Sequence, residues 1–220
     1  MTKTAKTRGE RGPGRPTGKD RPDLKNDLLR AAIDLFGSRG FDGVSLSQIS
    51  GAVQADVGLT RYYFGSKAEL WEAAMTHLSE CFVRDLTAEL DLVETSKADA
   101  LKAIIRAFVM TSARWPQISR IIVFDGDKSD ERSKFIETRL VGPFYDLMTD
   151  LIEGAKQEGA VPDVSVRTIF FMITHGGSFP MALRDLTNAF PGGDIASRDA
   201  LDAHADAIIA LIMQPAPSLK

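Results

Sequence analysis

Apolar positions along this chain recur at intervals of three and four residues, and no stretch alternates convincingly in twos, so the pattern predicts helices and no strands. An all-α protein is expected. A first helix starts at Pro22-Asp23 and carries Leu24, Leu28, Ala31, Ala32, Leu35 and Phe36 on one stripe, with Gly40 placed to end it in a left-handed cap. Ser45 and Gln48 form a capping box that opens a second helix at Leu46, whose apolar face is Leu46, Ile49 and Val53. Asp56 then caps a short helix from Val57 to Phe64, and Ser66 with Glu69 opens another at Lys67. Helices this short are marginal alone, so they must pack on their neighbours as a small bundle.

Beyond Lys67 the helical period continues. One helix carries Leu70, Trp71, Ala74, Met75, Leu78, Phe82 and Leu86 as far as about Leu92, and the next runs from Ser96 to Trp115, where Pro116 stops it. A short helix spans Ile118 to Phe124. A longer one spans Phe135 to Glu158, with a kink expected at Gly142-Pro143. The last two are Val164 to Asn188 and Ser197 to Met213. Both contain unbroken apolar runs, Ile169 to Ile173 and, but for Ala210, Ile208 to Met213, which predict burial on every side. A second copy of the chain, packed through these helices with two-fold symmetry, is the simplest cover.

The helix from Val57 to Phe64 is expected to turn small, aromatic and basic groups outward where a solvated helix would carry Glu and Lys. Two short helices joined by a tight turn are the plan of a helix-turn-helix, whose second helix enters the major groove of DNA. A guanidinium suits guanine edges, and hydroxyls and ammonium groups suit phosphates. The candidate contacts are Ser45, Gln48, Val57, Gly58, Thr60, Arg61, Tyr62, Tyr63 and Lys67, with Lys25 near the start of the first helix. Followed by FGSKAELW, this stretch resembles the TetR family of bacterial transcriptional regulators, matching it at Phe64, Lys67, Leu70 and Trp71 over about Leu24 to Met75. The chain departs from the family where Gln54 stands in place of a turn glycine and Arg61 in place of a tyrosine. The resemblance implies a homodimer joined through the last helices, a small-molecule effector, and a double-stranded DNA operator released when the effector binds.

Charge sharpens this division. The formal net charge is −3, but residues 1–67 hold 12 Lys/Arg against 7 Asp/Glu, a balance of +5, while the remainder holds 15 against 23, a balance of −8. A basic module, able to neutralise phosphates, is joined to an acidic one that DNA would repel. Three segments follow: a basic arm (1–21), a helix-turn-helix domain (22–67), and a larger domain (68–220) for ligand binding and dimerisation. In the arm, Pro13-Gly14-Arg15-Pro16 resembles an AT-hook core that would place Arg15 in the minor groove; an inert solubilising tail fits the same composition.

Several other chemistries find no footing. Gly18-Lys19 is followed by Asp20 where a P-loop needs Ser or Thr, and a calcium loop starting at Asp125 fails because Asp130 stands where glycine and Ile136 where glutamate is required. His77, His175 and His204 show no metal-ligand spacing, so neither an enzyme, a metal nor a cofactor is expected. Cys81 reads as a buried small apolar group. No apolar run approaches the roughly 18 residues of a membrane span, and a cytoplasmic protein is expected. Phe108, Trp115, Tyr145, Met148 and His175, bulky groups on separate helices, are the candidate walls of an effector pocket. A different reading keeps the ligand-binding protein but makes the head a protein-interaction module. Salt-dependent binding to duplex DNA separates the two.

Overall fold

The computed structural model describes residues 23–90 and 96–213, and the expectations for the arm, including Arg15, fall outside them. All regular structure among the described residues is helical. In chain order the helices are α1 (Leu24–Arg39), α2 (Leu46–Ala52), α3 (Val57–Phe64), α4 (Lys67–Glu89), α5 (Lys97–Arg114), α6 (Gln117–Asp125), α7 (Glu131–Phe135), α8 (Gly142–Gln157), α9 (Val166–Ala182), α10 (Arg184–Thr187) and α11 (Arg198–Ile212).

The caps form as the sequence requires. Ser45 N–H donates to Gln48 Oε1 at 2.7 Å while Gln48 N–H donates to Ser45 Oγ at 3.2 Å, and Ser66 and Glu69 repeat this at 2.7 and 3.2 Å. Asp56 Oδ1 accepts from Gly58 N–H at 2.7 Å. These bonds satisfy orphan amides that such short helices would otherwise leave to water. Around them, Leu24, Leu28, Ala32, Ile33 and Phe36 of α1 pack with Ile49, Phe64 and the first half of α4, namely Leu70, Trp71, Ala74, Met75 and Leu78. Ile121 of α6 and Ile136 join the same cluster, so the core of the head draws on residues well beyond 67. Gly37 permits the close approach of α6, because a Cβ there would sit 2.9 Å from Gln117 Cβ.

The second core is built around α5, against which α8, α9 and α11 pack through Leu101, Ile105, Met148, Ile152, Phe170, Ile173, Leu201 and Ala205. Two predicted helices are interrupted, each for a backbone reason. The helix expected across Gly142-Pro143 holds a π-helical segment, Ile136–Val141, in which Gly142 N–H reaches back five residues to Glu137 O. A proline just beyond cannot donate, and the widened turn takes up the mismatch. The helix expected to reach Asn188 stops at Ala182, two residues after Pro180. Pro180 also leaves Gly176 O without its helical donor, and His204 Nε2 of α11 donates to that carbonyl at 2.8 Å.

Gln54 occupies the turn between α2 and α3 at φ 55°, a left-handed conformation that disfavours a Cβ. Gln54→Gly is therefore expected to raise stability by about 0.5–1 kcal/mol, read from the urea midpoint at unchanged slope.

Candidate functional site

Helix α3 presents a mixed aromatic and basic surface. Tyr62 is 83% exposed and its ring meets Tyr63 edge-on at 5.5 Å, while Arg61 and Gly58 are exposed beside them and Val57 is half-buried. Ser45 and Gln48 are exposed at the start of α2, though their caps already occupy Ser45 Oγ and Gln48 Oε1. Thr60 departs from expectation. It is fully buried, with Oγ1 2.7 Å from Ser50 Oγ. Ser50 spends its proton on Leu46 O at 2.8 Å, so Thr60 is the donor, and the bond ties α3 to α2 rather than reading DNA. The sequence placed Thr60 outward because its one hydroxyl among apolar anchors gives no periodic signal.

The neighbouring cations are partly engaged. Lys67 Nζ lies 4.1 Å from the Phe41 ring centroid and the Arg132 guanidinium 4.2 Å from the same ring, both close enough for cation–π attraction. Lys67 is thus half-buried, whereas Lys25 is exposed, 6.0 Å from the Phe64 ring. Arg132 belongs to α7, and Lys128 just before it bonds Asp42 of the head at 2.9 Å. The Lys128 ammonium holds the Asp42 carboxyl below its ordinary pKa.

A cavity of about 300 Å3 lies between α4, α5, α6, α8 and α9, within the size range of small-molecule sites. Its wall is dominated by phenylalanine: Phe82, Phe108, Phe144, Phe170, Phe171 and Phe179. Phe108 stacks on Phe144 at 5.4 Å, and Phe82 meets Phe108 edge-on at 5.9 Å. Helix α6 contributes Ile118, Ser119, Ile122 and Val123, and the same helix touches the head through Gln117 Nε2, which donates to Asp34 at 2.8 Å. Displacement of α6 by an occupant would be felt at α1.

Residues 28–74 match the family model for bacterial regulatory proteins of the tetR family. The transcriptional repressor NicS of Pseudomonas putida is 23% identical over 179 residues, spanning 80% of this chain and 84% of that protein. The regulator RutR of Escherichia coli is 26% identical over 152 residues, 68% of this chain and 69% of its own. The chain belongs to the TetR family. Its fold matches that of the ketosteroid transcriptional regulator KstR2 of Mycobacterium tuberculosis, with a TM-score of 0.70 at 17% identity over 91% of this chain and all of that one. It likewise matches AibR, solved with isovaleryl coenzyme A and operator DNA, with a TM-score of 0.69 at 19% identity over 87% and 98% of the two chains. As a TetR-family transcriptional regulator the protein is not an enzyme.

Of the five expected wall residues, the structure brings Phe108 and His175 to the cavity and turns the other three elsewhere. Trp115 donates its indole N–H to Asp85 of α4 at 2.8 Å, which, with Arg84 beside it, holds that carboxyl below its ordinary pKa. Tyr145 packs edge-on against Phe170 at 4.9 Å, and Met148 is fully buried in the second core. His175 is exposed at the rim rather than buried, its Nδ1 3.2 Å from Phe171 O. Cys81 is buried as expected. The missed residues, Phe82, Leu86, Phe144 and Leu147 among them, fall on stripes that read as ordinary core in sequence.

Two predictions separate the roles on α3. Thr60→Val should cost about 1 kcal/mol of stability in chemical denaturation, since Ser50 loses its donor while side-chain volume is kept. Arg61→Ala should cost about 1–3 kcal/mol on the operator and little on random DNA, whereas Lys67→Ala should weaken both and reduce the salt slope by about one; equal losses from Arg61→Ala would make it a phosphate contact.

Proposed function

We propose that this protein is a transcriptional repressor of the cytoplasm that binds a palindromic double-stranded operator as a homodimer and lets go when a small molecule enters the phenylalanine-lined cavity. Residues 22–67 read the DNA, residues 68–220 take the effector and dimerise, and the basic arm 1–21 adds phosphate or minor-groove contacts through Arg15. The observation that carries this reading is the position of α6, which lines the cavity on one side and packs against α1 of the head on the other. An occupant that moves α6 changes the support on which α3 is presented. The operator and effector of the AibR structure are in keeping with this plan. Among the described residues no helix is long and apolar enough to cross a membrane.

The dimer face is read from what α9 and α11 leave uncovered. Met172, Gly176 and Phe179 lie on one exposed stripe of α9, continued by Leu183 just past its end, and Ala203, Ala207 and Leu211 on the adjoining stripe of α11. Met172 is 57% exposed and Leu211 82%, an unusual cost for large side chains beside small ones that allow close helix approach. Phe171 and Ile209, which lie in the apolar runs of the sequence, are less clean probes of this face, because each also has a place within its own subunit. Phe171 lines the cavity, and Ile209 is half-buried against its own core. Replacing Met172 and Leu211 together by Asp should therefore give a folded monomer in sedimentation. That monomer should lose operator binding in a mobility-shift assay, since one head meets only one half-site. An intact dimer would move the interface elsewhere.

A further inference from the structure

The cavity wall is not only apolar; it carries five hydroxyls, the His175 imidazole at the rim and the Arg139 guanidinium. No Asp or Glu lines it, although residues 68–220 carry a net charge of −8. The charged side chain in the lining is Arg139, which stands on the π-helical segment, is exposed, and has no carboxylate within ion-pair distance among the described residues. Its neighbours in sequence, Leu140 and Val141, also line the cavity, so the guanidinium sits where an apolar wall ends.

Four of the five hydroxyls in the wall, all but that of Ser79, have little to offer an anion. Thr87 Oγ1 donates to Val83 O at 2.7 Å, and Ser119 Oγ donates to Ser178 Oγ at 2.9 Å. Ser178 in turn donates to Thr174 O at 2.6 Å, and Thr174 to Phe170 O at 2.9 Å. With those protons spent, these groups show lone pairs to the cavity and repel a carboxylate. The guanidinium, with five donors and no acceptor, is the group that attracts one, and it does so in two places at once.

We infer that the cavity takes an amphipathic monoanion, a flexible or flat apolar body ending in a carboxylate, with the body among Phe82, Phe108 and Phe144 and the carboxylate paired to Arg139. Neutral hydrocarbons lose the pairing, and cations meet Arg139 with like charge. This deepens the effector reading above and rests on it, because it names the chemistry of the same cavity. The π-helical segment gives the arginine its place, since the wide turn before Pro143 is what breaks the helical register between α7 and α8 and carries residue 139 to the rim.

The test uses the full chain and the matched probes dodecanoate and dodecanol, kept below self-association, with binding read by titration calorimetry and operator affinity by fluorescence anisotropy. Wild type should bind dodecanoate saturably and more tightly than dodecanol. Arg139→Gln should weaken dodecanoate roughly tenfold or more and leave dodecanol unchanged. Val83→Trp, which fills the rim from α4, should remove both. Dodecanoate that fails to bind, that binds no better than dodecanol, or that is indifferent to Arg139→Gln or Val83→Trp overturns the inference. Dodecanoate held through Arg139 that leaves operator affinity unchanged keeps the ligand class and overturns release by ligand instead.

Discussion

Helix α4 has to be buried at both ends against different partners. Its first half, Leu70, Trp71, Ala74, Met75 and Leu78, closes the core beneath the head, and its second half sends Phe82 and Leu86 into the cluster with Ala107 and Phe108. Trp71 is only 1% exposed and meets Phe41 and Phe135 edge-on, at 6.5 and 5.5 Å. A helix fixed by large side chains at both ends cannot shift at one without repacking the other, because close-packed interiors offer no slack. That rigidity is what makes the head and the cavity mechanically one object.

The second link is electrostatic. Phe41, in the loop after α1, carries both Lys67 and Arg132 over its ring, and Asp42 next to it takes Lys128. One loop of the head is thus attached to α4 and to the α6–α7 segment at once. Of these, the exposed Lys128–Asp42 pair is weak and screened by salt, so its value lies in position rather than in stability. Under the proposed mechanism a ligand would act on α6, and this loop lies beside the segment that follows it.

The cavity and the proposed dimer face are neighbours on α9. Thr174, His175 and Ser178 face the cavity, Met172 and Gly176 face outward, and Phe179 belongs to both sets. Pro180 and His204 set the local shape: the proline removes a donor, the histidine of α11 supplies one, and the two helices are held together at Gly176. In the proposed assembly, ligand and partner would therefore meet adjoining faces of one helix, with Phe179 between them.

What the sequence determined by itself is everything written in local rules. The three N-caps around α2, α3 and α4 were legible because capping needs a particular oxygen at a particular offset, and the all-helical class because periodicity repeats every turn. The turn at Gln54 stood out only against the family pattern, as a missing glycine. The tertiary structure decided which apolar residues are core and which are wall, since Met148 and Phe108 carry the same signal in sequence but differ in what the next helix leaves empty. It also decided that Thr60 turns inward to Ser50 while Arg61 turns outward, and that Arg139 ends on the rim. Those outcomes depend on helix rotation and on a π-turn of the backbone, and a rotation of one residue step, about 100°, moves a side chain from partner to solvent without altering the pattern that predicts the helix.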